Sequence, residues 1–226
     1  MNAPLFSAQI LSQLFGAEGL LATLYMTLVS TAVAYVIGLP LGLLLVVTNA
    51  DGIRPARTLN SVLGGIVNIF RSVPFLIMIV VLIPVTRFIA GRIIGPTAMI
   101  VSLVVASAPY IARMVESSAK EVDRGVIEAS LSMGASPWQV VWKVIVPEAV
   151  PSLITGATIV TTTILSYSAM AGVLGAGGLG AIAINYGYYR GRRDIMWFAL
   201  ILTVLVVQLI QALGNSLARR SDRRIR

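Results

Sequence analysis

The sequence predicts an all-α integral membrane fold, and three observations carry that prediction: long uncharged runs recur along the chain, only 12% of its residues are charged, and mean hydropathy is +0.90. A soluble domain carries about twice that charged fraction. Uncharged apolar runs of about 20 residues need lipid as their solvent. What is missing narrows the chemistry. The 226 residues include no cysteine and no histidine. That leaves no disulfide framework, no thiolate metal site and no cysteine nucleophile, and it removes the usual metal ligand and the usual base near neutral pH. No catalytic residue, no metal site and no cofactor held by this chain are therefore expected. The net charge of +8 would suit nucleic acid, but the basic residues sit in loops between apolar runs, the pattern of attraction to a cytoplasmic membrane face. Membrane lipid is the expected partner, and nucleic acid is not. Residues 1–19 lack a basic n-region and an Ala-x-Ala site, so they do not read as a cleaved signal peptide.

Five spans account for the apolar runs, in a single domain over residues 1–226: about 20–48, 59–83, 93–112, 152–173 and 195–218. In the first, Gly38, Pro40 and Gly42 suggest a kink, tolerated where neighbours satisfy freed backbone groups. Arg71 interrupts the second. The fourth lies in an uncharged tract over residues 149–189, whose glycine- and tyrosine-rich second half predicts a broken, partly buried segment rather than another span. Orientation follows from the basic residues. With the C-terminus cytoplasmic, Arg54, Arg57, Arg113, Lys120, Arg124, Lys143, Arg219, Arg220, Arg223, Arg224 and Arg226 lie inside. Arg87, Arg92, Arg190, Arg192 and Arg193 lie outside. That bias predicts an external N-terminus, with the 190–193 cluster against the rule.

Residues 113–148 form the one hydrophilic segment large enough for structure of its own. It carries Glu116, Glu121, Asp123, Glu128 and Glu148. Two short helices are expected there. Gly125 and Gly134 bracket the first, over residues 126–133, with Glu128 in its first turn complementing the helix dipole. The second starts at Ser136 as N-cap, Pro137 at the first position and Gln139 completing a capping box. Trp138, Val141, Trp142 and Ile145 then recur at the spacing of one face, and Pro147 and Pro151 are expected to end the helix. Seating on the membrane surface through that face is the alternative to docking on a protein. The small residues Ala129, Ser130 and Gly134 favour close approach by another protein surface.

Glu128-Ala129-Ser130, then Gly134, then Val144-Ile145-Val146-Pro147, resembles the Glu-Ala-Ala loop of bacterial ABC importer permeases, with Ser130, Val144 and Val146 as size-conserving departures. The resemblance implies a type I ABC importer permease fold and a coupling helix seated in a cleft of a separate ATPase. Glu128, Ala129, Ser130, Gly134, Ala135 and Ser136 would then contact that partner. A narrower resemblance rests on Phe70-Arg71-Ser72-Val73-Pro74-Phe75, Arg113-Met114-Val115-Glu116, Gly134-Ala135-Ser136-Pro137, Tyr167 to Gly172 and Gly175 to Gly180. These look like the permease of methionine ABC importers, which implies methionine, as either or both enantiomers, as the cargo. It also implies two copies of an ATPase subunit that hold the ATP and magnesium, and an external methionine-binding lipoprotein.

The glycine run at 172–180 is no phosphate loop, since no Gly-Lys-Ser or Gly-Lys-Thr follows. Close backbone approach or a helix break explains it. Arg71 lies near enough to the cytoplasmic side to snorkel there, and Pro74 after it kinks the helix. Thr158, Thr161, Thr162, Thr163, Ser166, Tyr167 and Ser168 supply hydroxyls to the fourth span, and Met170 adds a thioether. These hydroxyls either line a polar path or bond the preceding helical turn. The family resemblance implies that this span lines the path, with Ser166, Tyr167, Ser168 and Met170 as gate candidates. Five helices enclose a polar path poorly, so a two-fold homodimer is expected. A self-contained secondary transporter would place Asp, Glu or His within its spans for ion coupling, and these spans hold none. A non-transporting scaffold would not need the Glu-Ala-Ala pattern.

Overall fold

Proline and glycine punctuate a chain that is otherwise helical wherever it is described. The computed structural model describes residues 8–222, and the regular elements among them are all helices. In order these are α1 (Ala8–Phe15), α2 (Leu20–Thr48), α3 (Arg57–Ser72), α4 (Phe75–Val81), α5 (Ile83–Ala90), α6 (Pro96–Lys120), α7 (Arg124–Ser132), α8 (Pro137–Val140), α9 (Val146–Ala171), α10 (Gly178–Ile182) and α11 (Arg193–Ser221). Wide π-type turns occupy Val141–Ile145 and Ala183–Tyr188, whereas Gly172–Ala176 is a kink with non-helical backbone at Leu174 and Gly175. Four continuous helical stretches are long and apolar enough to cross a membrane: Ser12–Thr48, Pro96–Lys120, Pro137–Ala176 and Arg193–Ser221. The bent pair α3 and α4, at 102° to each other, is long and apolar enough only when the two helices are taken together. Arg223, Arg224 and Arg226, counted above on the inner side, lie outside the described residues, as do residues 1–7.

Several expected boundaries move. The run expected as one helix over 59–83 breaks at Val73 and Pro74, because proline donates no N–H and drives the residue before it out of the helical region. Arg71 therefore lies in the last turn of α3, exposed and 5.9 Å from the Tyr110 ring, where a cation suits the helix C-terminus. The third span does not stop at residue 112. It starts at Pro96 and continues to Lys120, since the charges that marked its end in the sequence neutralise one another along one face: Arg113 and Lys120 both bind Glu116, at 2.6 and 2.7 Å. The 113–148 segment thus begins as a helix extension. The fourth span begins earlier than 152. Neither Pro147 nor Pro151 ends the helix there. The turn before Pro147 is wide, with the Val146 N–H donating to the Val141 carbonyl, which gives room for a ring that would otherwise meet the Lys143 carbonyl.

Contacts divide the described residues into two compact units. One comprises the described residues up to Val33, with Val73–Ala106 and Thr161–Ile210. The other comprises Ala34–Ser72, Ser107–Val160 and the described residues from Gln211 onward. In the second unit α6 is the central helix. Gly38 and Gly42 of α2, one turn apart, press on it. A Cβ on Gly38 would lie 2.7 Å from the Ala108 carbonyl oxygen, and one on Gly42 would lie 2.5 Å from that of Ala112. These glycines let two backbones meet, the small-xxx-small device of helices packed in lipid. Gly156 of α9 makes room for the Met114 side chain of α6, and Gly214 of α11 for the Thr158 side chain of α9. In the first unit Leu14, Leu179, Ile182, Ile195 and Ala199 form a buried cluster. Its glycine run breaks the chain after α9, as expected: Gly177 and Gly178 both have positive φ, the Gly178 N–H donates to the Glu18 carbonyl at 2.8 Å, and the Leu179 N–H donates to Thr23 Oγ1 at 2.9 Å.

Candidate functional site: a capped helical hairpin and an aromatic stack

The polar hairpin over residues 123–145 is specified residue by residue. Asp123, in extended conformation, caps α7 and accepts the Gly125 N–H at 2.6 Å. The helix therefore starts at Arg124, two residues before the expected 126, and Glu128 sits in its second turn. Asp123, not Glu128, complements the N-terminal dipole. The far end closes with a Schellman motif. Gly134, at φ +84, donates its N–H to the Leu131 carbonyl at 2.9 Å, and the Ala135 N–H reaches the Ser130 carbonyl at 3.1 Å. Ser136 then starts α8 with the expected capping box: the Ser136 N–H donates to Gln139 Oε1 at 2.8 Å, and the Gln139 N–H donates to Ser136 Oγ at 3.4 Å.

Of the six coupling candidates, Glu128, Ala129, Gly134 and Ser136 are exposed, Ala135 is half-buried and Ser130 is buried. Ser130 turns inward and donates its hydroxyl to the Val126 carbonyl at 2.8 Å. That internal bond satisfies the one polar atom by which it differs from alanine, and it removes Ser130 from the exposed set. The expected face of Trp138, Val141, Trp142 and Ile145 is also split. Val141 and Ile145 are buried, whereas Trp138 and Trp142 are 71% and 42% exposed and pack edge-on with ring centroids 5.5 Å apart. Trp138 and Trp142, four residues apart, share the exposed side of the expected face, and Val141 and Ile145, also four apart, share its buried side.

Behind α7 lies a cavity of about 500 Å³, lined by Asp51, Gly52 and Ile53 of the α2–α3 connection, by Lys120 of α6, and by Arg124 and Glu128 of α7 among others. Arg124 and Asp51 approach to 3.4 Å across it. Both are largely exposed, so water screens the pair and it contributes little to stability.

In the other unit, the gate candidates occupy one stretch of α9 but not one face. Tyr167 stacks on Phe75 of α4, with centroids 4.5 Å apart and planes 10° from parallel. Ser166 and Met170, one turn apart, are exposed; Met170 is 40% exposed. Ser168 is only 1% exposed and donates to the Leu165 carbonyl at 2.7 Å, so within this chain it lines no open path. Thr158 and Ser166 likewise donate to their own helix, at Ile154 and Thr162. Sequence reasoning missed Phe75 as the partner of Tyr167. The signal for it was Pro74, which starts a new helix at Phe75 and fixes where that ring emerges.

Long apolar helices together with one structured polar hairpin define a multi-pass helical membrane protein. The chain belongs to the family of binding-protein-dependent transport system inner membrane components, whose pattern matches residues 34–226. It is 46% identical over 202 residues to the probable D-methionine transport system permease protein MetI of Vibrio cholerae, which covers 89% of this chain and 90% of that one. The methionine import system permease protein MetP of Bacillus subtilis is 44% identical over 181 residues, 80% of this chain and 82% of its own. Among solved structures, an inward-facing conformation of the MetNI methionine ABC transporter matches with TM-score 0.92 and 46% identity, covering 99% of this chain and all of that one. The fold is that of a type I ABC importer permease.

Proposed function

We propose that this chain is the permease of a methionine ABC importer, working as a homodimer in the cytoplasmic membrane with two copies of an ATPase subunit and an external methionine-binding lipoprotein. The observation that carries the reading is similarity to methionine importer permeases along nearly the whole chain, hairpin included. ATP and magnesium belong to the ATPase, and this chain hydrolyses nothing. The N-terminus is external and the C-terminus cytoplasmic, which places the hairpin on the ATPase side. The basic cluster against that orientation is partly committed within the protein: Arg192 pairs with Asp194 at 2.7 Å, and Arg190 lies 4.4 Å from the Tyr186 ring centroid.

The mechanism is alternating access. Closure of the ATPase pair draws the two hairpins together, and each hairpin feeds into the continuous Pro137–Ala176 helix that carries Tyr167 and Met170. Glu128, Ala129, Gly134 and Ser136 give the ATPase its grip, with Ala135 and Ser130 shaping the surface from behind. Purified permease–ATPase complex in liposomes, given the binding protein outside, should accumulate labelled methionine only when ATP is supplied on the ATPase side. Accumulation of a different solute with methionine excluded would reassign the cargo, and no ATP-dependent uptake of any amino acid would end the importer reading.

Met170 and Tyr167 form the gate in this scheme. Met170→Ala is expected to raise passive leak of methionine from preloaded vesicles and to lower ATP-driven accumulation, because removal of a flexible thioether opens a gap that its neighbours do not fill. Unchanged leak and uptake would remove Met170 from the gate.

A further inference from the structure

A bonded side-chain cluster in the second unit lies on α6, outside the hairpin. Arg113 uses its fork in two directions. Nη1 donates to Glu116 Oε2 at 2.6 Å, while Nη2 donates to the Gly64 carbonyl at 3.1 Å and to Asn68 Oδ1 at 3.0 Å, both on α3. Glu116 gives its other oxygen to Lys120 Nζ at 2.7 Å and is only 7% exposed. Gly64 leaves its carbonyl open to this approach, since a Cβ there would lie 3.2 Å from Nη2. Beside the cluster, Val67 of α3, Leu45 of α2 and Ala112 of α6 form a small buried apolar group.

We propose that Arg113 is a positioning residue that clamps α3 to α6, so that α3 moves as one body with the helix leading into the coupling hairpin. Neutralising Glu116 requires only a nearby cation, and Lys120 already supplies one. The two bonds to α3 add nothing to that task. They require a planar donor fork that reaches two helices at once, which arginine provides and the single ammonium of lysine does not. After Lys120 only Glu121, Val122 and the cap Asp123 separate α6 from α7. A displacement of the hairpin therefore enters α6 directly, and the clamp passes it sideways to α3. The consequence for transport rests on the importer reading; the mechanical link does not.

Because the chain has no cysteine, spin labels at Ser61→Cys on α3 and Ser117→Cys on α6, both exposed, report the α3–α6 distance in the assembled permease–ATPase complex. With Arg113 intact, one narrow intrachain distance is expected, the same without nucleotide and with a non-hydrolysable ATP analogue. Arg113→Lys keeps a cation beside Glu116 and loses the fork. It is expected to broaden that distance while ATPase co-purification stays unchanged, and to lower methionine uptake per ATP hydrolysed about tenfold. Where Arg113→Lys reduces the yield of folded complex, Asn68→Leu serves instead, at an exposed site that leaves Glu116 untouched. An unchanged distance in the variant used, or a distance that already shifts with nucleotide when Arg113 is intact, overturns the clamp. The distance measurement needs no substrate, so it decides the clamp even if the complex proves to carry a different solute.

Discussion

Replacing Glu128 and Gly134 together by arginine is expected to abolish both ATPase attachment and methionine uptake, with the permease itself still folded. Both residues are exposed on the hairpin, and nothing lies within 4 Å of where a Gly134 side chain would begin. Two effects combine at Gly134. A residue with a Cβ forced to φ +84 costs about 1–2 kcal/mol, which loosens the Schellman bonds to Leu131 and Ser130. A long side chain also fills the open space that the partner is to occupy. Gly134→Asn separates the two, because asparagine tolerates the left-handed conformation. Recovery of co-purification in Gly134→Asn would assign the glycine's role to the backbone; continued failure would assign it to the space. Normal attachment and uptake in the double arginine variant would show that the hairpin is not the grip.

The second large effect is expected at Gly42. Its Cβ position lies 2.5 Å from the Ala112 carbonyl oxygen and 2.6 Å from Val115 Cβ. A methyl group there has to push α2 off α6, since one of the atoms it meets is backbone. Gly42→Ala is expected to cost about 1–3 kcal/mol, seen as a lower melting midpoint of the detergent-solubilised permease, and Gly42→Leu to prevent accumulation of folded protein. Gly65→Ala on α3 is the control. No atom lies within 4 Å of its Cβ position, so it should be neutral or raise stability by up to about 1 kcal/mol. Equal melting of the two alanine variants would mean that α2 and α6 do not depend on this close contact.

Much of the hairpin was legible because its determinants are local. Ser136, Pro137 and Gln139 form a box whose partners are three residues apart, and Gly134 ends a helix with bonds that reach back no further than Ser130. The start of α7 was misplaced for the same kind of reason: Asp123 and Glu128 are both plausible acids for a first turn, and only the extended backbone at Asp123 decides between them. The tryptophan face was misjudged because spacing groups four positions on one broad arc of the helix, whereas only packing decides that the Val141 and Ile145 side of that arc is buried and the Trp138 and Trp142 side exposed.

By itself the sequence determined that the chain lives in lipid, that its helices are crossed by few charges, and that one polar segment ends its first helix at Gly134 and starts its second with a capping box at Ser136. Each of these follows from solvation or from bonds between near neighbours in the chain. Tertiary structure alone decided that Gly38 and Gly42 seat α2 on α6, that Phe75 stacks on Tyr167 while Ser168 is buried, and that Arg113 reaches from α6 to Gly64 and Asn68. Those pairings join residues far apart in the chain, and their geometry comes from which helices pack together, which no local pattern of residues encodes.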